Sequence, residues 1–309
     1  MLDNVTANHR SGAHPARSHI PQRLRPGSPE HLQAFCRMLL DTHDPYQPRV
    51  IDWPKLEPDA LARLKSLPIW DIAVKTEGLA SRRVNSYAQL VFDPLLRQAV
   101  ELNGFEEGRH KTVLANLVEA YGIELVPEQP YPKPRHVEWA FMVTGYSECI
   151  DSFFAFGLFE LAKRSGFFPA ALVSTFEPVM REEGRHILFF VNWAAWHRRN
   201  LPYWRRPLFQ AKIVAVWVFL IWERIGLARG VDAKQDNNFT VSGSRSLDIN
   251  ISLADVIDVC LSENARRLGP YDPRLLRPTF VPRMARLARS LLVWPKRRGR
   301  SPQSAAPGH

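Results

Sequence analysis

One pentapeptide, Glu-Glu-Gly-Arg-His, occurs twice in this chain of 309 residues, at 106–110 and at 182–186. The first copy contains a Glu-x-x-His, formed by Glu107 and His110, the second contains the equivalent pair, and the sequence has no other. Residues three apart lie on one face of an α-helix. A carboxylate and an imidazole at this spacing can therefore bind one metal ion together.

The first copy lies in the second of two adjacent predicted helices. This helix should begin at Asp93, an N-cap residue followed by a first-turn proline, and end near Gly122. The stretch 68–92 also has helical periodicity, and Glu77 is the one acid that interrupts its apolar stripe. Glu77 lies 16 residues before Asp93, and Glu107 lies 14 residues after it. At about 1.5 Å per residue, both acids should lie at nearly the same depth of an antiparallel hairpin.

The second copy lies in a hairpin of the same design. The first helix of this hairpin is predicted over 137–165, and Glu148 interrupts its apolar face. Asp151, one turn further on, is the alternative acid. Glu148 lies 18 residues before the turn at Gly166, and Glu183 of the second copy lies 17 residues after it. The depths of the two acids therefore match again.

Between the two hairpins lies the segment 123–136, which contains four prolines and is predicted to be an extended connector. The order along the chain is Glu, Glu-x-x-His, connector, Glu, Glu-x-x-His. The sequence shows no strand-like alternation and no Gly-rich phosphate-binding loop. These features predict an all-α fold.

Over about residues 65–200 this arrangement resembles the ferritin-like di-iron carboxylate superfamily. The resemblance implies a four-helix bundle with a crossover between helices 2 and 3, followed here by extra C-terminal helices. It also implies two iron ions, with a Mn/Fe pair as the alternative. Glu107 and Glu183 would bridge the two ions and carry the catalysis. The complete set of metal ligands implied by the resemblance is Glu77, Glu107, His110, Glu148, Glu183 and His186.

The remaining charged residues of the motif have a simpler interpretation. Glu106 with Arg109, and the equivalent pair of the second copy, are predicted to be i,i+3 ion pairs on the helix flank. Asp151, if it is not a ligand, could accept a hydrogen bond from a ligand imidazole and fix its tautomer.

What the resemblance implies for function is an enzyme, a di-iron oxygenase or oxidase that uses O₂ to hydroxylate or oxidise a small organic substrate. The three cysteines, Cys36, Cys149 and Cys260, show no Cys-x-x-Cys spacing, which argues against a rubredoxin-type iron centre and predicts a separate electron donor. Alternatives are a rubrerythrin- or ferritin-like peroxidase or iron-oxidising protein, and a tRNA-modifying hydroxylase. A non-catalytic helical scaffold is the fourth interpretation, and the cost of burying unpaired carboxylates argues against it.

The sequence also predicts a division into three parts. Residues 1–55 form an N-terminal extension that is partly disordered, 56–230 the di-metal bundle with an added apolar helix at 207–229, and 231–309 a C-terminal helical extension with a basic tail. Helices are expected in the last part at about 252–268 and 283–294. The chain begins without an apolar signal-peptide region, and its cysteines are few, which favours a cytoplasmic location.

The net charge of +10 is concentrated in two segments. Residues 195–230 hold seven Lys or Arg and one acid, and 281–309 hold seven and none. The first segment contains ten consecutive apolar residues at 213–222, and five of the nine Trp fall within 193–222. Such a helix can pack on the bundle, on a second copy in a homodimer, or on a membrane surface. The bundle itself is not basic, so nucleic acid is not the favoured partner.

Overall fold

The computed structural model describes residues 24–67, 69–230 and 252–298, with the backbone alone for 226–230 and 294–298. These ranges contain helices and no strand, which confirms the all-α prediction. None of the described helices has the length and apolar character needed to cross a membrane. The helices are α1 (Pro29–Asp41), α2 (Pro58–Ser66), α3 (Trp70–Ala88), α4 (Pro94–Ala120), α5 (Val137–Ser165), α6 (Ala170–Thr175), α7 (Glu177–Asn200), α8 (Arg206–Gly230), α9 (Leu253–Leu268) and α10 (Phe280–Arg298), with 3₁₀ turns at Pro48–Val50 and Tyr203–Arg205.

The ends of the long helices follow capping signals in the sequence. The Asp93 carboxylate accepts a hydrogen bond from the backbone N–H of Leu96 at 2.9 Å, which caps α4. α5 ends at Gly166, whose φ of +66° is a left-handed conformation that glycine adopts readily. Ser252 and Asp255 form a capping box at the start of α9. The predicted helices are therefore present, with their ends displaced by about one turn at most.

Four helices surround a common interior. α3 and α4 form an antiparallel hairpin, α5 packs on both α3 and α7, and α4 contacts α7. Aromatic rings join three of them: Tyr87 of α3 stacks on Phe141 of α5 at 4.3 Å between ring centroids, and Trp193 of α7 lies edge-on to Phe141 at 4.7 Å. These contacts set the spacing of the helices that carry the predicted ligands.

The other helices cover this group of four. α1 packs against α4 and α7, and its Phe35 and Leu39 are fully buried in the same hydrophobic core. α8 lies on α5 and α7, α9 lies mainly on α5, and α10 lies on α9. The sequence analysis assigned the residues of α1 to an N-terminal extension, whereas their side chains form part of the central core.

Some sequence predictions lie outside the described residues. The disorder expected at the start of the chain falls mainly on 1–23, and the basic tail falls partly on 299–309. Much of the C-terminal extension before α9 also lies outside them.

The contact between α5 and α9 depends on a glycine. A Cβ added at Gly157 would lie 2.3 Å from Sγ and 2.9 Å from Cα of Cys260. We expect Gly157→Ala to lower the free energy of unfolding by about 1–3 kcal/mol, because the backbone of α9 would have to move away. Urea denaturation at fixed pH measures this loss.

Gly184→Ala is the matched control, since Gly184 is also a helical glycine. Its added Cβ would have Cδ2 of Leu268 as nearest neighbour, at 3.6 Å. Alanine there should leave stability unchanged or raise it by up to about 1 kcal/mol through its higher helix propensity. Equal stabilities for the two variants would contradict the close approach of α5 and α9.

Candidate metal centre

The two Glu-x-x-His pairs lie side by side on α4 and α7. Nδ1 of His186 is 2.8 Å from Oε1 of Glu107, and Nδ1 of His110 is 3.2 Å from Oε1 of Glu183. Each imidazole therefore faces the carboxylate of the other copy. One ligand atom from each of these four side chains lies within 4.8 Å of all the others. Buried Glu and His groups in this arrangement could hold a metal ion.

The two single glutamates lie beside this cluster. Oε2 of Glu77, on α3, is 3.7 Å from Nδ1 of His110. Glu148, on α5, has a buried oxygen without a hydrogen-bond partner, and the charges of Glu107 and Glu183 act on it. The structure thus brings four of the predicted ligands together, and Glu77 and Glu148 lie near enough for their charges to act on that cluster.

The orientation of the imidazoles is informative. Nδ1 of His110 and Nδ1 of His186 are both buried, and neither makes a hydrogen bond, although carboxylate oxygens lie near them. Buried polar atoms without partners are rare, because each costs the desolvation of that atom. Nitrogen and oxygen atoms that approach a common point without hydrogen-bonding one another fit the first shell of a metal ion. The residues present therefore fit a metal site.

Burial and crowding change the proton affinity of the two single glutamates. Burial, reinforced by the charges of Glu107 and Glu183, raises the pKa of Glu77 to about 8, although the nearby His110 imidazole, 3.7 Å away, acts in the opposite direction. Burial and the same two neighbours raise the pKa of Glu148 well above its ordinary value. With protons as the only counter-charge, both carboxyls therefore hold a proton more tightly than an exposed glutamate does.

Both imidazoles also bind protons tightly. Burial lowers the pKa of His110, but the hydrogen bond to Glu182 and the nearby carboxylates of Glu183 and Glu77 more than compensate and raise it well above 6.5. Burial likewise opposes a charge on His186, and the charge of Glu107 and the hydrogen bond to Glu106 raise its pKa well above 6.5. The cluster of carboxylates therefore attracts positive charge strongly, whether protons or metal ions supply it.

The first glutamate of each copy braces the imidazole of the other copy. Nε2–H of His186 donates to Glu106 at 2.8 Å, and Nε2–H of His110 donates to Glu182 at 2.8 Å. Such a bond fixes the ring orientation and leaves Nδ1 facing the metal site. A carboxylate behind each ligand imidazole is the usual outer-shell arrangement of metal sites.

The arginines of the two pentapeptides also form ion pairs with the other copy. Arg109 pairs with Glu182, and Arg185 pairs with Glu106, so each copy donates to the other in the same way. The predicted i,i+3 ion pairs are present in both copies, but the helix flank that carries them is buried. All four side chains are 5% exposed or less, and the contacts within a copy are longer, at 3.7 Å. The reason is that α1 covers this side of α4 and α7, which turns the flank into an interior.

The segment that follows α1 supplies further partners, which the sequence analysis missed. Nδ1 of His43 is 2.6 Å from Oε1 of Glu106, and the Tyr46 hydroxyl donates to Glu182 at 3.3 Å. Arg109 donates to the carbonyls of Asp44 and Tyr46, and its guanidinium lies 4.0 Å from the Tyr46 ring centroid. No periodic pattern marks these residues in the sequence.

His43, Glu106 and Glu182 also lie close enough together to hold a metal ion. Two guanidiniums, those of Arg109 and Arg185, already neutralise these carboxylates. A cation there would meet repulsion from both. We therefore assign this group to the support of the imidazoles.

Asp151 takes no part in the site, contrary to both roles considered from the sequence. It is exposed, and both carboxylate oxygens lie 2.7 Å from the Arg224 guanidinium of α8. Its neighbour Ser152 instead donates a hydrogen bond to Glu183 at 2.7 Å. Residues 148 and 152 are four apart and share the inner face of α5, whereas 151 points toward α8.

Comparison of the chain with protein-family models, with curated proteins and with solved structures finds no match.

The ion pairs and hydrogen bonds that join the two pentapeptides should contribute strongly to stability. Glu182→Gln removes the charge that compensates Arg109 and weakens the hydrogen bond from His110. We expect the free energy of unfolding to fall by about 3–5 kcal/mol, since a buried guanidinium is left without its counter-charge. Urea denaturation of metal-depleted protein measures the loss. Glu128→Gln is the control, because its ion pair with Lys111 is partly exposed and should cost below about 1 kcal/mol. Similar losses of unfolding free energy in both variants would contradict a strong contribution from the contacts of Glu182.

The raised pKa values also predict an unusual pH dependence for metal-depleted protein. Folding raises the pKa of both imidazoles above 6.5 and of Glu77 from 4.5 to about 8, so the folded state holds protons that the unfolded state releases. The stabilisation is complete below the unfolded-state pKa values and is lost as pH rises through the folded-state values. The Tm of metal-depleted protein should therefore fall between pH 6.5 and about 9.

Metal loading should reverse this trend. Divalent ions displace the protons, so their apparent affinity rises with pH and they protect the fold more at high pH. Calorimetric scans at several pH values, with and without Fe(II) under argon, measure both slopes. The same pH slope in both series would show that these groups do not bind the metal.

Proposed function

We propose that this chain is a ferritin-like di-iron carboxylate enzyme that uses O₂ to oxidise or hydroxylate a small apolar molecule. One observation carries the proposal: two buried imidazole nitrogens without hydrogen bonds lie among carboxylates contributed by four helices. Carboxylates from two helices and a Glu-x-x-His from each of the other two form the ligand pattern of di-iron bundles.

The roles of the ligands are those that the resemblance to di-iron carboxylate proteins implies. Glu107 and Glu183 would bridge two ions, Glu77 and Glu148 would each bind one ion, and each imidazole would give one nitrogen. Nitrogen and carboxylate ligands suit iron, with manganese as the alternative. Two such ions, when bound, supply the electrons and the open coordination positions needed to react with O₂.

The chain itself orients the ligand side chains and excludes water from one side of the site. Ser152 holds one oxygen of Glu183, and the amide of Asn103 lies 3.4 Å from Oε1 of Glu107. The braces behind His110 and His186 fix which ring nitrogen faces the cluster. Because both imidazoles are 1% exposed, bulk water has little access to that side of the site.

A cleft beside the ligand helices supports an organic substrate rather than iron storage. It has a volume of about 260 Å³, and Leu79, Trp139, Val143 and Phe219 line it. Leu79 and Val143 belong to α3 and α5, the helices that also carry Glu77 and Glu148, although none of the six predicted ligands lines the cleft. Arg83 and Arg135 also reach the cleft, so it suits a small apolar molecule with an acidic end.

The source of electrons is separate in this proposal. Cys36, Cys149 and Cys260 are all buried and unpaired, so they do not form a Cys-ligated redox centre. A separate donor protein, or the substrate itself, would reduce the site.

The proposal is tested by metal content and by the reaction of Fe(II)-loaded protein with O₂. We expect about two irons per chain and the absorption of ferric iron after mixing with O₂. Glu107→Ala and Glu183→Ala should each lower bound iron to below about one per chain and abolish the reaction, since both are placed as bridging ligands. Glu101→Ala is the control, because Glu101 is an exposed glutamate of the same helix.

Three outcomes would contradict the proposal. Folded wild-type protein that binds no iron would remove the metal centre. Many turnovers of Fe(II) oxidation by H₂O₂ without an organic substrate would indicate an iron-oxidising or peroxidase function. Salt-sensitive binding of tRNA, followed by oxidation of that tRNA, would indicate a tRNA-modifying hydroxylase.

A further inference from the structure

α8 has two apolar faces, and only one of them is covered. Phe209, Val216 and Leu220 are buried against the bundle. On the opposite face, Val218 is 62% exposed and Trp222 is 72% exposed. Packing on the bundle therefore explains only half of the apolar character of this helix.

The described part of α10 carries a second uncovered stripe. Phe280, Met284, Leu287 and Leu291 recur at helical spacing, and each is at least 45% exposed. The rings of Trp217 and Phe280 lie 4.4 Å apart, so α8 and α10 are in contact beside their exposed stripes. Monomeric proteins rarely expose contiguous apolar surfaces of this extent, and such surfaces mark interaction sites.

The charges and aromatic residues around this surface identify its partner. Tyr203 and Trp204 are exposed at one end of α8, and the Arg205 guanidinium lies over the Trp204 ring at 4.7 Å. Arg283 and Arg286 are exposed on α10, whose sequence contains no acid. Exposed aromatic rings with arginines beside an apolar helix face are typical of helices that lie in the headgroup region of a membrane.

We infer that the outer faces of α8 and α10 form a docking surface for an anionic lipid bilayer. Both helices would lie along the surface, because α8 is fixed on α5 and α7 by its buried face. The basic residues would contact anionic headgroups, and Val218, Trp222, Leu287 and Leu291 would enter the outermost acyl region.

A second copy of the chain is the less suitable occupant. In a two-fold dimer the same surface faces itself, so the arginines of α8 and α10 would approach the same arginines of the partner. The net charge of +10 adds to this repulsion. An anionic bilayer offers the opposite charge together with an apolar interior.

The test is co-sedimentation of the full chain with phospholipid vesicles. At about 0.1 M salt, wild-type protein should sediment with phosphatidylglycerol vesicles and much less with phosphatidylcholine vesicles, and added salt should weaken the binding. Val218→Glu/Trp222→Glu should weaken the partitioning roughly tenfold or more, because two charges would enter the apolar region. Thermal melting checks that this variant folds, which we expect because both positions are exposed.

Leu90→Glu/Phe92→Glu is the matched control. Both residues are exposed, at 54% and 94%, and lie between α3 and α4. This variant adds the same charge and removes similar apolar surface, and its binding should fall by less than about threefold. Absence of sedimentation with anionic vesicles, or equal binding to neutral ones, would overturn the proposal. A dimer that Val218→Glu/Trp222→Glu dissociates, together with no vesicle binding, would assign the surface to a second copy.

Discussion

The exchange of hydrogen bonds and charges between the two pentapeptides is the interaction on which the interior depends. Glu106 and Glu182 are balanced by Arg185 and Arg109, so this outer layer is electrically neutral. It holds both imidazoles by Nε2. What remains inside is four carboxylates and two imidazoles, whose charge two divalent ions would balance. Protons can balance it only by neutralising carboxyls and charging imidazoles, which the raised pKa values of Glu77 and His110 show.

The near-symmetry of the two halves follows from this exchange. Each hairpin supplies one single glutamate and one pentapeptide, and each pentapeptide makes its shorter ion pairs with the other one. Half of the molecule would therefore keep only the longer contacts, at 3.7 Å, within its own pentapeptide. α1 breaks the symmetry, because it and the residues after it close one side with His43, Tyr46 and the carbonyls that accept from Arg109.

Periodicity and depth along the chain were sufficient to predict the long helices and the cluster of Glu107, His110, Glu183 and His186. These two signals failed where another helix determines which face of a helix is buried. A helix read alone shows one apolar stripe, so Glu106 and Arg109 were placed on a solvated flank, whereas α1 buries them. Asp151 and Glu148 differ by less than a turn, and only the position of α8, through Arg224, separates them. His43 lies in a loop without periodicity, so no local signal could reveal its contact.

The closed and open sides of the molecule bear on how a substrate would reach the proposed site. On the side of α1, ion pairs and buried aromatic rings fill the space behind α4 and α7. The cleft lies on the other side, between α3, α5 and the connector, and Phe219 of α8 forms part of its wall. If the site oxidises an apolar molecule, this side offers a route of entry that the ion pairs on the side of α1 do not. Val218 and Trp222 are exposed on the same helix as Phe219, so the proposed membrane surface and the wall of the cleft share α8.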